Sequence, residues 1–269
     1  MVKHKIENPR FDAEILLTHV LKTNKVELYL YPDLVLTSEQ FEVFLMFTER
    51  RLNNEPVAYI TGHKEFYGLD FEITASVLIP RPETEILVEH TIDALNSYHD
   101  SDFTIVDVGT GCGNIAISLA KHVPHIRIMA TEISEAALNV AVRNSYKHGI
   151  ADRVSFLPGN LLQPLSQPVH CIVANLPYIR TEEIQNLMPE VSFYEPRVAL
   201  DGGENGLLYT DELLKQARSK LLNSGVTLIE IGHDQANAVK KLVEQYFPRA
   251  YTEVFSDLNG LDRVVKVIT

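Results

Sequence analysis

Residues 105–116 read Ile105-Val-Asp107-Val-Gly109-Thr-Gly111-Cys-Gly113-Asn-Ile-Ala116, an apolar run followed by three glycines and a second apolar run. This order predicts a buried strand, a tight turn and the start of a helix. Glycine adopts positive φ angles and lets a ligand approach the backbone closely, and the first turn of a helix carries unpaired N–H groups. The sequence therefore predicts a binding site for a nucleotide or a nucleoside at this turn.

From residue 103 onward, short β-branched apolar runs alternate with helical patterns. Strands are predicted at 103–108, 126–131, 153–157, 170–174 and 226–231, with helices near 114–122, 134–148 and 206–223. Strands separated by helices imply parallel βαβ units in a doubly wound sheet. The tail predicts a hairpin, with strands at 251–255 and 263–268. We therefore expect an α/β fold with a doubly wound, mostly parallel, seven-stranded Rossmann-like sheet and an antiparallel C-terminal edge.

The residues before this pattern predict a small helical domain and a connector. Apolar residues between 9 and 54 recur at helical spacing, and Thr37 with Gln40 matches a capping box. Alternating apolar residues around Gly68 predict a hairpin over 65–74, and a helix is predicted over 83–98. We divide the chain into a helical domain at 1–60, a hairpin connector at 61–82 and an α/β domain at 83–269.

The amino-acid composition indicates the cellular compartment of the protein and the partners that it can bind. The 269 residues are 45% apolar and 22% charged, and no run of about 18 apolar residues and no signal peptide is visible. We therefore expect a cytoplasmic protein with no membrane partner, and we take it to be a monomer. Cys112 and Cys171 are too few for a disulfide framework, and no Cys/His spacing fits a zinc site, so we expect no metal.

The net charge is −12, and no cluster of Lys and Arg is present. A protein that binds the phosphate backbone normally presents a basic face. Direct binding of nucleic acid is therefore disfavoured. The excess of acidic residues either keeps the protein soluble or attracts a basic protein partner.

Two features of the glycine turn favour S-adenosylmethionine over a dinucleotide. The spacing is Gly-x-Gly-x-Gly, and Asp107 precedes the first glycine by two residues, where an acidic group suits a positively charged methionine portion. Glu132 ends the next predicted strand, where a carboxylate can accept hydrogen bonds from both ribose hydroxyls. Each also has a plain structural interpretation, Asp107 as a stabiliser of the turn and Glu132 as a strand end or helix cap before Ser134.

A polar turn, Asn175-Leu176-Pro177-Tyr178, follows the strand predicted at 170–174. It lies at the carboxyl end of the sheet, where open α/β folds bind ligands. The turn suits methylation of a planar NH₂ group, whose delocalised lone pair is a poor nucleophile. The Asn175 side-chain oxygen and the Leu176 carbonyl can accept hydrogen bonds from that group, and Tyr178 offers a flat face. Such turns also occur as plain strand-to-helix stops.

Several further stretches carry a family resemblance. The most specific is Leu78-Ile-Pro-Arg81-Pro-Glu83-Thr-Glu85, preceded by Glu55-Pro-Val-Ala-Tyr-Ile-Thr-Gly62 and Glu65-Phe-Tyr-Gly-Leu69. Supporting stretches are Glu195-Pro196, Asp201-Gly-Gly-Glu-Asn-Gly-Leu207 and Ile229-Glu-Ile-Gly-His-Asp-Gln235. With the two turns above, these make the chain resemble the release factor glutamine methyltransferases, also called HemK or PrmC, from residue 55 to the end and more weakly before it.

The resemblance implies methyl transfer from S-adenosylmethionine to the N5 side-chain amide of the glutamine in the Gly-Gly-Gln loop of class I peptide chain release factors. It also implies that the helical domain helps to hold the release factor. The implied catalytic and substrate residues are Asn175, Leu176, Pro177 and Tyr178, with Arg81 and Glu83 either ordering the mouth of the cleft or forming an interdomain ion pair. The implied cofactor residues are Asp107, Gly109, Thr110, Gly111, Cys112, Gly113, Glu132, Asn160, Leu161 and Asn175, with Asn160 and Leu161 lining the adenine.

The chain departs from the family pattern at two positions. Leu176 replaces the first proline of the usual Asn-Pro-Pro-Tyr, and Glu132 stands where Asp is common. A backbone carbonyl at 176 can still accept a hydrogen bond, and Pro177 favours an extended Leu176. The extra methylene of Glu132 requires a slight relaxation of the ribose site.

Three alternatives stay open at the level of the sequence. Asn-Leu-Pro-Tyr also resembles the turn of adenine dimethylases that act on ribosomal RNA, so an adenine N6-methyltransferase of RNA or DNA is the first. Glutamine methylation of a ribosomal protein is the second, and the 81–85 segment argues against it. A non-catalytic adaptor is the third, and the intact glycines and Asn175 argue against it.

Overall fold

A computed structural model describes residues 6–96, 103–124 and 126–269 of the chain. The chain folds into two compact units. The helical unit comprises the described part of Met1–His63 together with Leu187–Tyr194, and the α/β unit comprises the described part of Lys64–Asn186 together with Glu195–Thr269.

Short helices build the helical unit. They are α1 (Pro9–Leu21), α2 (Lys25–Leu30), α3 (Ser38–Leu52), α4 (Val57–Thr61) and α8 (Pro189–Ser192). The predicted capping box starts α3, because Thr37 Oγ1 accepts from the Gln40 N–H at 3.2 Å and Gln40 Oε1 accepts from the Thr37 N–H at 3.0 Å. These two bonds satisfy N–H groups that have no partner within the helix itself.

A buried arginine explains why 187–194 belongs to the helical unit. Arg51 on α3 contacts Asp12 of α1 at 2.7 Å and Glu190 of α8 at 2.7 Å. The Tyr194 hydroxyl also donates to the Asn53 carbonyl oxygen at 2.7 Å. An arginine in this position needs both carboxylates, since a buried charge without a partner is strongly destabilising.

A seven-stranded sheet forms the centre of the α/β unit, in the order β5-β4-β3-β6-β7-β9-β8. Its strands are β3 (Thr104–Val108), β4 (Arg127–Glu132), β5 (Val154–Pro158), β6 (Val169–Ala174), β7 (Leu221–Glu230), β8 (Tyr251–Ser256) and β9 (Asp262–Ile268). The first five are parallel, while β9 pairs antiparallel with both β7 and β8. The predicted sheet with its antiparallel C-terminal edge is therefore confirmed.

The remaining elements surround this sheet. The hairpin predicted around Gly68 is confirmed as β1 (His63–Phe66) and β2 (Leu69–Glu72). The helices are α5 (Thr84–Asn96), α6 (Asn114–His122), α7 (Glu135–Lys147), α9 (Leu208–Lys220) and α10 (Ala236–Tyr246). Residues 97 and 98 of the predicted 83–98 helix lie outside the described part of the chain.

The sequence prediction was wrong at the start of β7. The helix predicted to reach residue 223 ends at Lys220, and the strand begins at Leu221. Leu221 pairs with Val169 and Val226 with Cys171, so β7 carries extra residues as a bulge. A bulge accommodates the polar stretch there, which has the composition of a loop.

The site lies where the sheet reverses its strand order. β3 has β4 on one side and β6 on the other, so the loops after these strands diverge and leave a crevice at their carboxyl ends. Beneath the crevice, fully buried side chains such as Val106, Ile172 and Leu213 pack between the strands and α9. The site is therefore built on the ends of closely packed strands.

Candidate active site

One pocket of the α/β unit lies at the carboxyl ends of β3, β4, β5 and β6. Segments distant in the sequence meet at its wall. The lining residues are Ser76, Val77, Leu78, Gly109, Gly111, Thr131, Glu132, Ile133, Ser134, Ala137, Gly159, Asn160, Leu161, Asn175, Leu176, Pro177, Val198, Ala199 and Tyr209. The structure thus brings both predicted turns, Glu132 and the Asn160-Leu161 pair to a single cavity.

The three glycines of the first turn adopt positive φ angles of 72°, 56° and 85° at Gly109, Gly111 and Gly113. At Gly113 a Cβ would meet the Ile117 side chain at 2.9 Å, whereas at Gly111 it would enter open space. Gly113 therefore serves the packing of α6, and Gly111 leaves room on the pocket side. Thr110 and Cys112 lie in the same turn without lining the pocket, and their contact with a cofactor stays a prediction.

Asp107 lies beneath the glycine turn and is fully buried. Its Oδ2 accepts from Thr110 Oγ1 at 2.6 Å and from the Ala116 N–H at 3.2 Å, which ties the turn to α6. Burial raises the pKa of Asp107 to about 7. Its Oδ1 has no hydrogen-bond partner among the described residues. The bonds of Oδ2 stabilise the turn, and a role toward the cofactor stays a prediction that the unpaired Oδ1 supports.

Glu132 forms part of the pocket wall at the end of β4. Its Oε2 accepts from the Gly111 N–H at 3.0 Å, and its Oε1 accepts from the Ser134 N–H at 2.9 Å. The carboxylate therefore orders the glycine turn and the start of α7 together. Each oxygen keeps a further lone pair, so acceptance from ribose hydroxyls is compatible with these bonds and stays a prediction.

The polar turn after β6 contributes Asn175, Leu176 and Pro177 to the pocket, whereas Tyr178 does not line it and its contact with the substrate amide stays a prediction. Asn175 Nδ2 donates to Thr84 Oγ1 at 3.1 Å. Leu176 is buried against the glycine turn, since a Cβ at Gly109 would lie 3.2 Å from Leu176 Cδ2. The two predicted turns therefore support one another directly.

The 201–207 loop braces the backbone of the polar turn. A Cβ at Gly202 would lie 2.7 Å from the Pro177 carbonyl oxygen. The Gln235 side chain, buried beside the loop, donates from Nε2 to the Tyr178 carbonyl oxygen at 3.0 Å and to the Gly206 carbonyl oxygen at 3.2 Å. These glycines and Gln235 stood in the sequence only as family matches, and the structure gives their physical role.

Sequence reasoning missed two buried polar residues next to the polar turn, Thr84 at the start of α5 and Glu230 at the end of β7. The Tyr178 hydroxyl donates to Glu230 Oε1 at 3.4 Å. Burial raises the pKa of Glu230 to about 7, against the opposing effect of the Thr84 and Tyr178 hydroxyls, and its Oε2 has no hydrogen-bond partner among the described residues. Burial also raises the pKa of Tyr178 far above its usual value, which keeps the phenol neutral. Both residues fall in the family stretches 78–85 and 229–235, but nothing in their local sequence marked them as part of the site.

Arg81 is paired within the α/β unit. It donates to Glu195 Oε1 at 2.5 Å, and Glu195 Oε2 accepts from the Ile79 N–H at 3.2 Å. Glu195 thus holds the chain that follows Leu78, a residue of the pocket wall. Arg81 and Glu83 do not line the pocket, and the role of Glu83 at its mouth stays a prediction.

Two family models match this chain. The PrmC N-terminal domain model matches residues 2–62, and the methyltransferase small domain model matches residues 82–204. The release factor glutamine methyltransferase of Thermodesulfovibrio yellowstonii is 39% identical over 256 residues, which cover 94% of this chain and 90% of the relative. The chain belongs to the release factor glutamine methyltransferase family. The family member of Coxiella burnetii is 40% identical over 262 residues, with 96% and 91% covered.

Solved structures of low sequence identity share the fold. A methyltransferase of Pyrococcus furiosus superposes with a TM-score of 0.53 at 17% identity, over 82% of this chain and 96% of the other. The hMettl16 catalytic domain gives a TM-score of 0.60 at 14% identity, over 87% and 83%. Among the described residues of this family member, no helix is long and apolar enough to cross a membrane, and no three His, Cys, Asp or Glu side chains cluster as metal ligands.

Proposed function

We propose that this protein transfers a methyl group from S-adenosylmethionine to the N5 side-chain amide of the glutamine in the Gly-Gly-Gln loop of class I release factors. The observation that carries the proposal is the meeting of the glycine turn, Glu132 and Asn175 in one pocket. The names of the relatives at 39% and 40% identity support the same reaction.

The pocket fits S-adenosylmethionine on three observations. Gly111 leaves open space above the turn, Asp107 has a buried oxygen without a partner among the described residues, and Glu132 presents a carboxylate at the wall. The Glu132 carboxylate suits a ribose with two hydroxyl donors, and the unpaired Asp107 oxygen offers a further acceptor beneath the turn. Asn160 and Leu161 lie on the same wall, where they can line the adenine.

When bound, S-adenosylmethionine supplies an electrophilic methyl group. The protein's part is to hold a weakly nucleophilic amide nitrogen in line with it. Since Asn175 Nδ2 is bonded to Thr84, Oδ1 is the end of that side chain left to accept from the substrate NH₂. The Leu176 carbonyl is the proposed second acceptor, and Tyr178 packs near the planar group. Two fixed acceptors stabilise the positive charge that develops on nitrogen as the C–N bond forms.

The helical unit is the proposed docking site for the release factor. Phe41 and Leu45 occupy one face of α3, four residues apart, and each is about half exposed. Exposed apolar side chains on one face are typical of a surface that binds another protein. We place the reaction in the cytoplasm, with a monomeric enzyme and no direct contact to nucleic acid.

A transfer assay tests the proposal. Radiolabelled S-adenosylmethionine is offered in parallel with a release factor, a large-subunit ribosomal protein and RNA. We expect label on the release factor alone, located on a glutamine side chain by proteolysis and mass spectrometry. Label on adenine would overturn the proposal in favour of the RNA or DNA methyltransferase, and label on the ribosomal protein would reassign the substrate.

A further inference from the structure

Asn175 is held by a residue of another element, outside the turn that carries it. Its Nδ2 donates to Thr84 Oγ1 at 3.1 Å. Thr84 is the first residue of α5 and is 1% exposed. The oxygen and the nitrogen of an asparagine amide have nearly the same shape, so packing alone does not decide which one faces the pocket. The hydrogen bond with Thr84 therefore determines which amide atom of Asn175 faces the pocket.

The Thr84 hydroxyl does not by itself fix the orientation of the Asn175 amide, because a hydroxyl can both donate and accept a hydrogen bond. If Thr84 donated its proton to Asn175, the amide would turn its oxygen toward Thr84 and its NH₂ toward the substrate. Two NH₂ groups would then face each other, and no hydrogen bond would form between them. Methyl transfer therefore requires that Thr84 donate its hydrogen bond to a group other than Asn175.

Glu230 is the group that can accept a hydrogen bond from Thr84. It ends β7, is 3% exposed and interacts with both Thr84 and Tyr178, and its Oε2 has no hydrogen-bond partner among the described residues. The Tyr178 hydroxyl approaches its Oε1 to 3.4 Å. A carboxylate accepts hydrogen bonds and has no proton to donate. While Glu230 is charged, its unpaired Oε2 can take a hydrogen bond from the Thr84 hydroxyl, which is then left to accept from Asn175.

We propose that Glu230 is a positioning residue which, through the Thr84 hydroxyl, fixes the side-chain amide of Asn175 with its oxygen toward the substrate amide. The inference rests on the proposed function, since it assumes that Asn175 accepts from the NH₂ of a glutamine. It assigns Thr84 and Glu230 to the substrate side of the site, while the cofactor is held by the glycine turn and Glu132.

The groups that face Glu230 set the pH range of this arrangement. Burial and the nearby Glu83 oppose the charged form, whereas the Thr84 and Tyr178 hydroxyls and the charge of Arg263 favour it. The balance raises the pKa of Glu230 to about 7. The arrangement needs the charged form, so turnover should fall as the pH is lowered through about 7.

Two threonine variants form a matched pair for the test. Thr84→Ser keeps the hydroxyl, and Thr84→Val keeps the shape and removes it. We expect Thr84→Ser to hold kcat within about threefold and Thr84→Val to lose at least about 10-fold, as for loss of a preorganised polar interaction. Affinity for S-adenosylmethionine, measured by calorimetry, should be unchanged in both. Equal kcat values for the two variants, or a parallel loss of cofactor affinity, would overturn the proposal.

Glu230→Gln supplies a second readout. The new NH₂ group can donate to Thr84, which frees the Thr84 proton for Asn175 and reverses the amide. We expect a lower kcat with unchanged cofactor affinity, and a ratio of wild-type to variant kcat that approaches one as the pH falls below about 7, a comparison from which the titration of Asp107 cancels. A wild-type pH profile in Glu230→Gln would overturn the proposal. A wild-type enzyme that labels no glutamine would instead defeat the proposed function, so the two failures are distinguishable.

Discussion

The Gln235 side chain donates a hydrogen bond from Nε2 to the Tyr178 backbone carbonyl oxygen at 3.0 Å. The same nitrogen donates to the Gly206 carbonyl oxygen at 3.2 Å, so one amide joins the polar turn after β6 to the 201–207 loop. Gln235 Oε1 in turn accepts from the Gly232 N–H at 2.9 Å. Because the side chain is satisfied at both ends, it fixes the backbone of the polar turn.

Gly206→Ala should disturb this brace. Gly206 has a φ of 73°, and a Cβ there would lie 2.4 Å from the Tyr178 carbonyl oxygen. The matched control is Gly260→Ala, where φ is 76° and a Cβ would meet nothing within 4 Å. An alanine with a positive φ is strained by about 1–2 kcal/mol, which should reduce the free energy of unfolding of both variants. Only Gly206→Ala should also lose turnover, because the polar turn must move. Equal turnover in the two variants would remove the bracing role.

The sequence predicted the local parts of this site and missed the distant ones. The glycine turn and Asn175-Leu176-Pro177-Tyr178 are each continuous in the chain, and each follows a buried strand whose sequence is an apolar run. Thr84 and Glu230 reach the polar turn only through the fold, on α5 and β7. Their burial beside Asn175 and Tyr178 depends on strand order, which no local pattern in the sequence specifies.

The fold shows the same limit at two places. The start of β7 has the composition of a loop because Asn223, Ser224 and Gly225 are turn residues, and pairing with Val169 in β6 overrides that local preference. The 187–194 segment joins the helical unit through Arg51, an ion pair between residues far apart in sequence. At both places a tertiary contact, and not the local sequence, determines the structure.

Gly111→Ala should weaken cofactor binding selectively. Gly111 has a φ of 56° and lines the pocket, and a Cβ there would point into open space. Gly149→Ala is the matched control, with a φ of 66° and equally open surroundings away from the pocket. Both variants should unfold more easily by a similar amount. Calorimetry should show at least about a 10-fold loss of S-adenosylmethionine affinity in Gly111→Ala alone. Unchanged affinity would contradict the assignment of the turn to the cofactor.

Glu132→Ala should also reduce cofactor affinity. It removes the proposed acceptor of two ribose hydroxyls together with the bond to the Gly111 N–H. Hydrogen bonds to charged groups contribute about 1.5–3 kcal/mol, so at least a 10-fold loss is expected. Thr37→Ala is the control, because it removes the side-chain cap of α3 and Thr37 does not line the pocket. It should lower the free energy of unfolding by about 1 kcal/mol with affinity unchanged. A Glu132→Ala affinity within twofold of wild type would leave Glu132 with a structural role only.

Substitution of Phe41 and Leu45 by serine tests docking more cleanly than removal of residues 1–54. Such a truncation would also remove Arg51, the ion-pair partner of Glu190. The double variant should lose at least about 10-fold in kcat/KM on an intact release factor, equivalent to about 1.4 kcal/mol of binding. A short Gly-Gly-Gln peptide should be methylated as before. Tyr251→Ser, an exposed aromatic of β8, is the control. Equal losses on protein and peptide would contradict docking by α3.

Asn175→Ala and Leu176→Pro together test the amide chemistry. Asn175→Ala deletes a side-chain acceptor, so its effect should fall on the transition state, with about a 10²–10³-fold loss of turnover and little change in cofactor affinity. Leu176→Pro restores the proline that is usual in the family and keeps the backbone carbonyl. Because Leu176 is buried against the glycine turn, this change should lower the free energy of unfolding while leaving turnover within a few-fold. Steady-state kinetics with a release factor measures both effects. A Leu176→Pro defect as severe as that of Asn175→Ala would mean that the leucine side chain, and not its carbonyl, serves the reaction.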